Sequence, residues 1–114
     1  MTKDEYKDLL IKTSEAGHFP AMGRVNNGVT CMYLTPEGRK CAIGILLPDG
    51  HDAQKARVSA AFLFDDYPDL KQFIPEGMMV RDLLNIQQVH DHVALMRKEW
   101  DHNEFVNRIQ HYFN

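Results

Sequence analysis

The side chains best equipped for chemistry in this chain are Cys31, Cys41, His90 and Asp91. The cysteines sit in CMYLTPEGRKCAIGILLPDG, residues 31–50, where a turn sequence divides two apolar stretches. Four uses of such a pair compete. Thr35-Pro36-Glu37-Gly38 reads as a type I turn that pairs Thr35 with Arg39. That register makes Cys31 and Cys41 diagonal neighbours across a hairpin, too far apart for a disulfide. Zinc is disfavoured because neither C-x2-C nor H-x3-H spacing accompanies them, although the chain has six histidines. A nucleophilic Cys41 would need a base such as His90 and enough exposure to ionise. Arg39 and Lys40 precede it, but on a strand they point to opposite faces. The pattern favours the fourth use, two small buried hydrophobes on one face.

His90-Asp91-His92 presents an H-x-H pair. Residues two apart on a helix point about 200° from one another, so the two rings cannot share a metal. His90 is more informative alone, because Leu83, Ile86, His90 and Val93 recur at helical spacing and turn its ring inward or toward a cleft. Glu99-x-x-His102 matches half of a di-iron helix pair, and only one copy exists. Gly23, Gly28, Gly38 and Gly44 are not grouped as a phosphate loop requires, and Ser14 and Ser59 lack a nucleophile elbow.

These groups must be positioned by a small set of elements. Thr2 and Glu5 form a capping box, which predicts a helix over 3–16 with Gly17 as its stop. Asn26-Asn27-Gly28 is turn chemistry. Residues 31–46 read as a hairpin with Cys31, Tyr33, Cys41 and Ile43 on one side and Met32, Leu34 and Ala42 on the other, ended by Pro48-Asp49-Gly50. Asp52 is placed to cap a helix over 53–64. Another helix begins near Met79 and ends between His92 and Arg97. Asp101 is placed to cap a last helix that packs Phe105, Ile109 and Phe113 inward. Met78-Met79 beside Phe73-Ile74 reads as core rather than a contact patch. The fold class expected is α+β: a central β-hairpin, with a third short strand near Val25 to Val29, wrapped by about four helices in one domain, 1–114.

Composition bounds the function classes. A 114-residue chain that is 44% hydrophobic and 25% charged is an ordinary globular domain able to bury a core without staples. Net charge is −3 and the basic residues are scattered as singles and pairs such as Lys55/Arg57 and Arg97-Lys98, which argues against a nucleic-acid surface. The longest apolar run, Ala42 to Leu47, is too short to cross a bilayer, and acids stand in MTKDEYKDLL where a secretory leader would be basic and apolar. A soluble, cytoplasmic protein with no membrane partner is expected.

The pattern C-x-Y-x4-G-x-K-C-A-x-G-x-L-x-P-D, carried by Cys31, Tyr33, Gly38, Lys40, Cys41, Ala42, Gly44, Leu46, Pro48 and Asp49, resembles a family of small uncharacterised bacterial and phage proteins. Its members carry a later L-x-x-x-Q-x-x-H-D segment and a tryptophan. His90-Asp91 and Trp100 correspond, while Leu84 and Gln88 are slightly offset. Ile45 stands where the family often has a third cysteine, which weakens a metal or redox role for the set. The resemblance supplies no activity but implies a phage or prophage accessory setting, and together with the missing catalytic motifs it makes a non-enzymatic binding module the first expectation. Such a module would inhibit a host (defence) protein or sequester a small polar or nucleotide ligand. A long helix packed over the hairpin would bring Asp49, Arg81, His90 and Asp91 together as the ligand site, with no cofactor or metal. The alternative is a small hydrolase using Cys41 or His90 with Asp49 or Asp91.

Overall fold

A computed structural model describes residues 1–25, 28–96 and 99–114. In chain order it contains α1 (Lys3–Glu15), β1 (Met22–Val25), β2 (Gly28–Cys31), α2 (Ala60–Asp66), α3 (Val80–Met96) and α4 (His102–Phe113), with short 3-10 helices at Gly44–Leu46, Asp52–Lys55 and Pro68–Phe73. The Asn26-Asn27 turn and the Arg97-Lys98 pair lie outside the described residues.

The helix starts follow local signals. Thr2 Oγ1 accepts from Glu5 N at 3.1 Å and Glu5 Oε1 accepts from Thr2 N at 2.9 Å, the reciprocal box that opens α1. Asp101 accepts from Glu104 N at 3.0 Å to open α4. α4 packs against both α1 and α3. Between them Tyr6, Leu10, Leu83, Ile86, Phe105 and Ile109 are fully buried. Ser14 joins α1 to the α4 entry, accepting from Trp100 Nε1 at 2.9 Å and lying 2.7 Å from His102 Nδ1. Phe73, Ile74 and Met78 pack on this core, whereas Met79 is exposed.

The fold is mostly helical, and the α+β expectation with a central hairpin is overturned. The strands are β1 and β2, paired antiparallel with Met22 opposite Cys31 and Gly23 opposite Thr30. The predicted turn at Thr35 does form: Thr35 N donates to Arg39 O at 2.8 Å, and Gly38, at φ 88°, donates to Thr35 O. No ladder grows from it. Buried backbone groups must find partners, and those of residues 42 and 43 find side chains from distant helices. Tyr6 Oη donates to Ala42 O at 2.6 Å, and Ile43 N donates to Gln87 Oε1 at 3.0 Å. Ile45 N then bonds Cys41 O, and the chain coils into its 3-10 turn. Gly44 lies against the Tyr33 carbonyl so closely that a Cβ there would collide with it.

The helix expected over 53–64 is also interrupted. His51, not Asp52, caps the 3-10 turn by accepting from Ala53 N at 3.0 Å. Ala56 and Ser59 are extended, and Tyr33 Oη donates to Val58 O at 2.9 Å before α2 begins.

The α3 start carries a pH-dependent prediction. Asp82 accepts from Met79 N at 2.8 Å and from Tyr112 Oη at 2.9 Å, tying the α3 entry to the end of α4. The Met79 amide first, then the tyrosine hydroxyl, hold its carboxyl below the usual carboxylate range. A depressed carboxyl stabilises the fold above its unfolded pKa and loses that contribution as pH falls through the folded one. Urea midpoints should therefore fall less steeply for Asp82→Asn than for the parent below about pH 4. Parallel acid limbs would overturn this.

Candidate functional site

The loop that replaces the expected hairpin builds a cleft. From the end of β2 the chain runs through Met32, Tyr33 and Leu34 to the Thr35 turn, and the 54–59 segment runs opposite it. Between them is an open cleft of about 600 Å³ lined by Cys31, Met32, Tyr33, Leu34, Pro36, Ala56, Val58 and their neighbours. Its walls are mainly apolar. The Tyr33 hydroxyl bridges the two segments through Val58 O. Thr35 and Gln54 are buried polar members of the lining, while Lys55 and Arg57 are exposed ones. Among the described residues, neither cation has an ion-pair partner.

Behind the cleft wall lies the His90 network. His90 is wholly buried, and its Nε2 accepts from Ala21 N at 3.2 Å. An imidazole nitrogen that accepts from an amide carries no proton, so in this arrangement the proton is on Nδ1 and is donated to Asp91 Oδ1 at 2.9 Å. Gln87 Nε2 donates to the same Oδ1 at 2.8 Å, and its 3.3 Å approach to His90 Nδ1 is then a contact between two donors. Ala21 O in turn accepts from Met32 N at 2.9 Å. A continuous chain of bonds therefore runs from α3 through Ala21 to Met32 in the cleft wall.

Each expected site residue can now be placed. His90 and Asp91 are brought together. Asp49 is on the surface with its side chain 90% exposed, paired with Lys40 at 2.7 Å. The Lys40 ammonium holds its carboxyl below the usual range. Arg81 is exposed in the first turn of α3, where its charge acts on Asp82. Among the described residues, neither Asp49 nor Arg81 hydrogen-bonds or ion-pairs with His90 or Asp91. With no strand ending at Pro48, nothing carries Asp49 to α3.

The Cys31 sulfur is arranged for neutrality. Cys31 is half-buried in the cleft wall and Cys41 is sealed behind it; both are free thiols. Cys41 Sγ accepts from Gly44 N at 3.4 Å. A hydrogen bond to Cys41, then burial, then the nearby Cys41 and Asp91 charges push the Cys31 thiol far above the ordinary range. Burial likewise raises Tyr33, with Cys31, Cys41 and Asp91 adding to it. Cys31 is thus a protonated thiol at neutral pH, and both His90 nitrogens are engaged. Neither group is poised as nucleophile or base. Among the described residues, no three His, Cys, Asp or Glu side chains converge as a metal site would require, and no helix is long and apolar enough to cross a membrane.

Sequence reasoning missed Tyr33, Lys55, Arg57 and Val58 as cleft residues. One signal was present: β-branched Val58 followed by Ser59, a natural N-cap, marks a helix start at Ala60 rather than a helix running through. Compared with family models, curated proteins and solved structures, the chain matches none.

Proposed function

We propose that this protein is a non-enzymatic binding module. Its cleft takes a small amphipathic anion: an apolar body between residues 32–36 and 56–58, with one carboxylate, sulfonate or phosphate at Lys55 and Arg57. The observation that carries the reading is an apolar-walled cleft whose two exposed cations have no carboxylate partner among the described residues. An anion bridging them gains two charge-assisted contacts, while the body displaces water from apolar wall. A purely polar ligand would leave Met32, Leu34 and Val58 uncovered. A nucleotide, with a heterocycle and a phosphate, has the required chemistry. In the phage or prophage setting that the sequence resemblance implies, binding of this kind would sequester a host metabolite.

Anilinonaphthalene sulfonate, an aryl body with one fixed anion, is a suitable probe. Saturable binding should perturb backbone NMR signals of residues 31–36 and 54–59. Lys55→Ala/Arg57→Ala should weaken it about tenfold, as two partly exposed ion pairs of somewhat under 1 kcal/mol each would. Neutral phenylnaphthylamine should bind parent and variant alike. Absence of saturable binding, or shifts confined to other residues, would overturn the reading.

A further inference from the structure

We infer that the anion this cleft takes is the C-terminal end of an extended polypeptide, which pairs along the outer edge of β2 and sets its carboxylate at Lys55 and Arg57. This rests on the reading of the cleft given above and narrows its ligand class. The sheet has two strands, so among the described residues no third strand covers β2. One bond fixes which of its backbone groups face that open edge. Met32 N donates to Ala21 O, which makes 21 and 32 a hydrogen-bonded pair. Bonded and non-bonded pairs alternate along an antiparallel ladder. Thr30, opposite Gly23, therefore bonds to β1, while the amides and carbonyls of Val29 and Cys31 point away from it. Nor is the edge blunted, since Gly28-Val29-Thr30-Cys31 carries neither charge nor proline.

Cys31 brings this edge into the cleft. Past it, among the described residues, the amides of Tyr33 and Leu34 donate to no protein acceptor, and neither do those of Arg57 and Val58 on the facing wall. The cleft is apolar in its side chains and open in its backbone. An extended chain satisfies both at once. Its alternate amides and carbonyls pair with the edge, and every second side chain turns onto the wall of Leu34, Pro36 and Val58. Its terminal carboxylate meets two exposed cations that no carboxylate among the described residues neutralises. A heterocycle with a phosphate would use the cations and leave the edge bare. A chain continuing past the cleft would use the edge and leave the cations bare.

The probe is an N-acetylated hexapeptide of alternating valine and threonine that ends in leucine with a free carboxylate. It should bind the full-length protein about tenfold more tightly than N-acetylleucine, the gain of about two net backbone hydrogen bonds. Bound peptide should slow hydrogen exchange at the Val29 and Cys31 amides. N-methylating one alternate set of peptide amides should abolish both effects, and methylating the other set should not, since only one set faces the edge. The C-terminal amide of the peptide should bind the parent several-fold more weakly. Acid and amide should bind Lys55→Ala/Arg57→Ala alike. A hexapeptide no tighter than N-acetylleucine, or one whose two methylated forms both bind unimpaired, overturns the inference. Sedimentation of the free protein as a dimer with both amides already protected overturns it too, because a second copy then holds the edge. If anilinonaphthalene sulfonate binds at 31–36 and 54–59 and the peptide does not, the amphipathic-anion reading stands and the strand pairing falls. If neither binds, both fall.

Discussion

Gln87→Leu is expected to destabilise the fold by roughly 3 kcal/mol, a large share of the margin of a domain this size. The volume change is small, so packing is not the reason. Gln87 is buried, and its two ends serve different partners: Oε1 takes the amide of Ile43 and Nε2 reaches Asp91 Oδ1. Leucine leaves the Ile43 amide in a fully buried residue with no acceptor, a loss of about 1–3 kcal/mol, and removes one donor from a half-buried carboxylate. Urea unfolding followed through the fluorescence of Trp100, the single tryptophan, reads the difference. A loss below about 1 kcal/mol would mean that the Ile43 amide is satisfied some other way. Gln87→Glu separates the two ends. It keeps an acceptor for Ile43 but sets a second carboxylate where an amide now meets Asp91 at 2.8 Å. Two carboxylates that close retain a proton which the unfolded chain has already released. The folded form of Gln87→Glu then binds more protons than the unfolded form, so its deficit should shrink as pH falls from neutral toward 5.

The same two bonds explain what could and could not be read along the chain. Signals confined to a few residues were legible. They include the Thr2–Glu5 box, the Asp101 cap, the Thr35–Gly38 turn and the inward line through Leu83, Ile86, His90 and Val93. The hairpin was not, because alternation records which side chains are apolar and not who satisfies the backbone. Residues 41–46 are a continuous apolar run that a buried strand would also show, yet the backbone partners of Ala42 and Ile43 are Tyr6 and Gln87, 36 and 44 positions away. A short apolar run is ambiguous until such partners are known. The break at Val58 follows from the same cause, since its carbonyl is held by Tyr33, 25 positions earlier. For the site, the His90–Asp91 pair was legible because the residues are adjacent and the helix period turned one inward. Asp49 and Arg81 entered only through the hairpin and lost their place with it. The cleft was illegible for a complementary reason: both its walls are irregular segments, fixed by contacts to residues distant in the chain.

Phe105→Ala should bring the largest single loss, about 4 kcal/mol, which at this chain length lowers the melting temperature by roughly 20 °C. Phe105 is wholly buried on α4, its ring 4.9 Å from Trp100 and 5.3 Å from Phe19. Phe19 in turn stands 5.2 Å from the His90 ring, and Trp100 stands 5.5 Å from it. Alanine therefore opens a cavity against two rings that both also pack on His90, and aromatic edge contacts are lost in addition to buried area. The damage should extend beyond stability. His90 holds the Ala21 amide, and the Ala21 carbonyl holds Met32, so loosening the cluster loosens the cleft wall. Phe105→Leu, which fills most of the space, should lose less than half as much and keep probe affinity. Below its own melting point Phe105→Ala should bind the probe more weakly, although no cleft residue has changed. Calorimetry and probe titration on the pair of variants check both halves. Unchanged affinity in a folded Phe105→Ala would sever the cleft from the aromatic cluster, and a loss under about 1.5 kcal/mol would mean that the rings close over the gap.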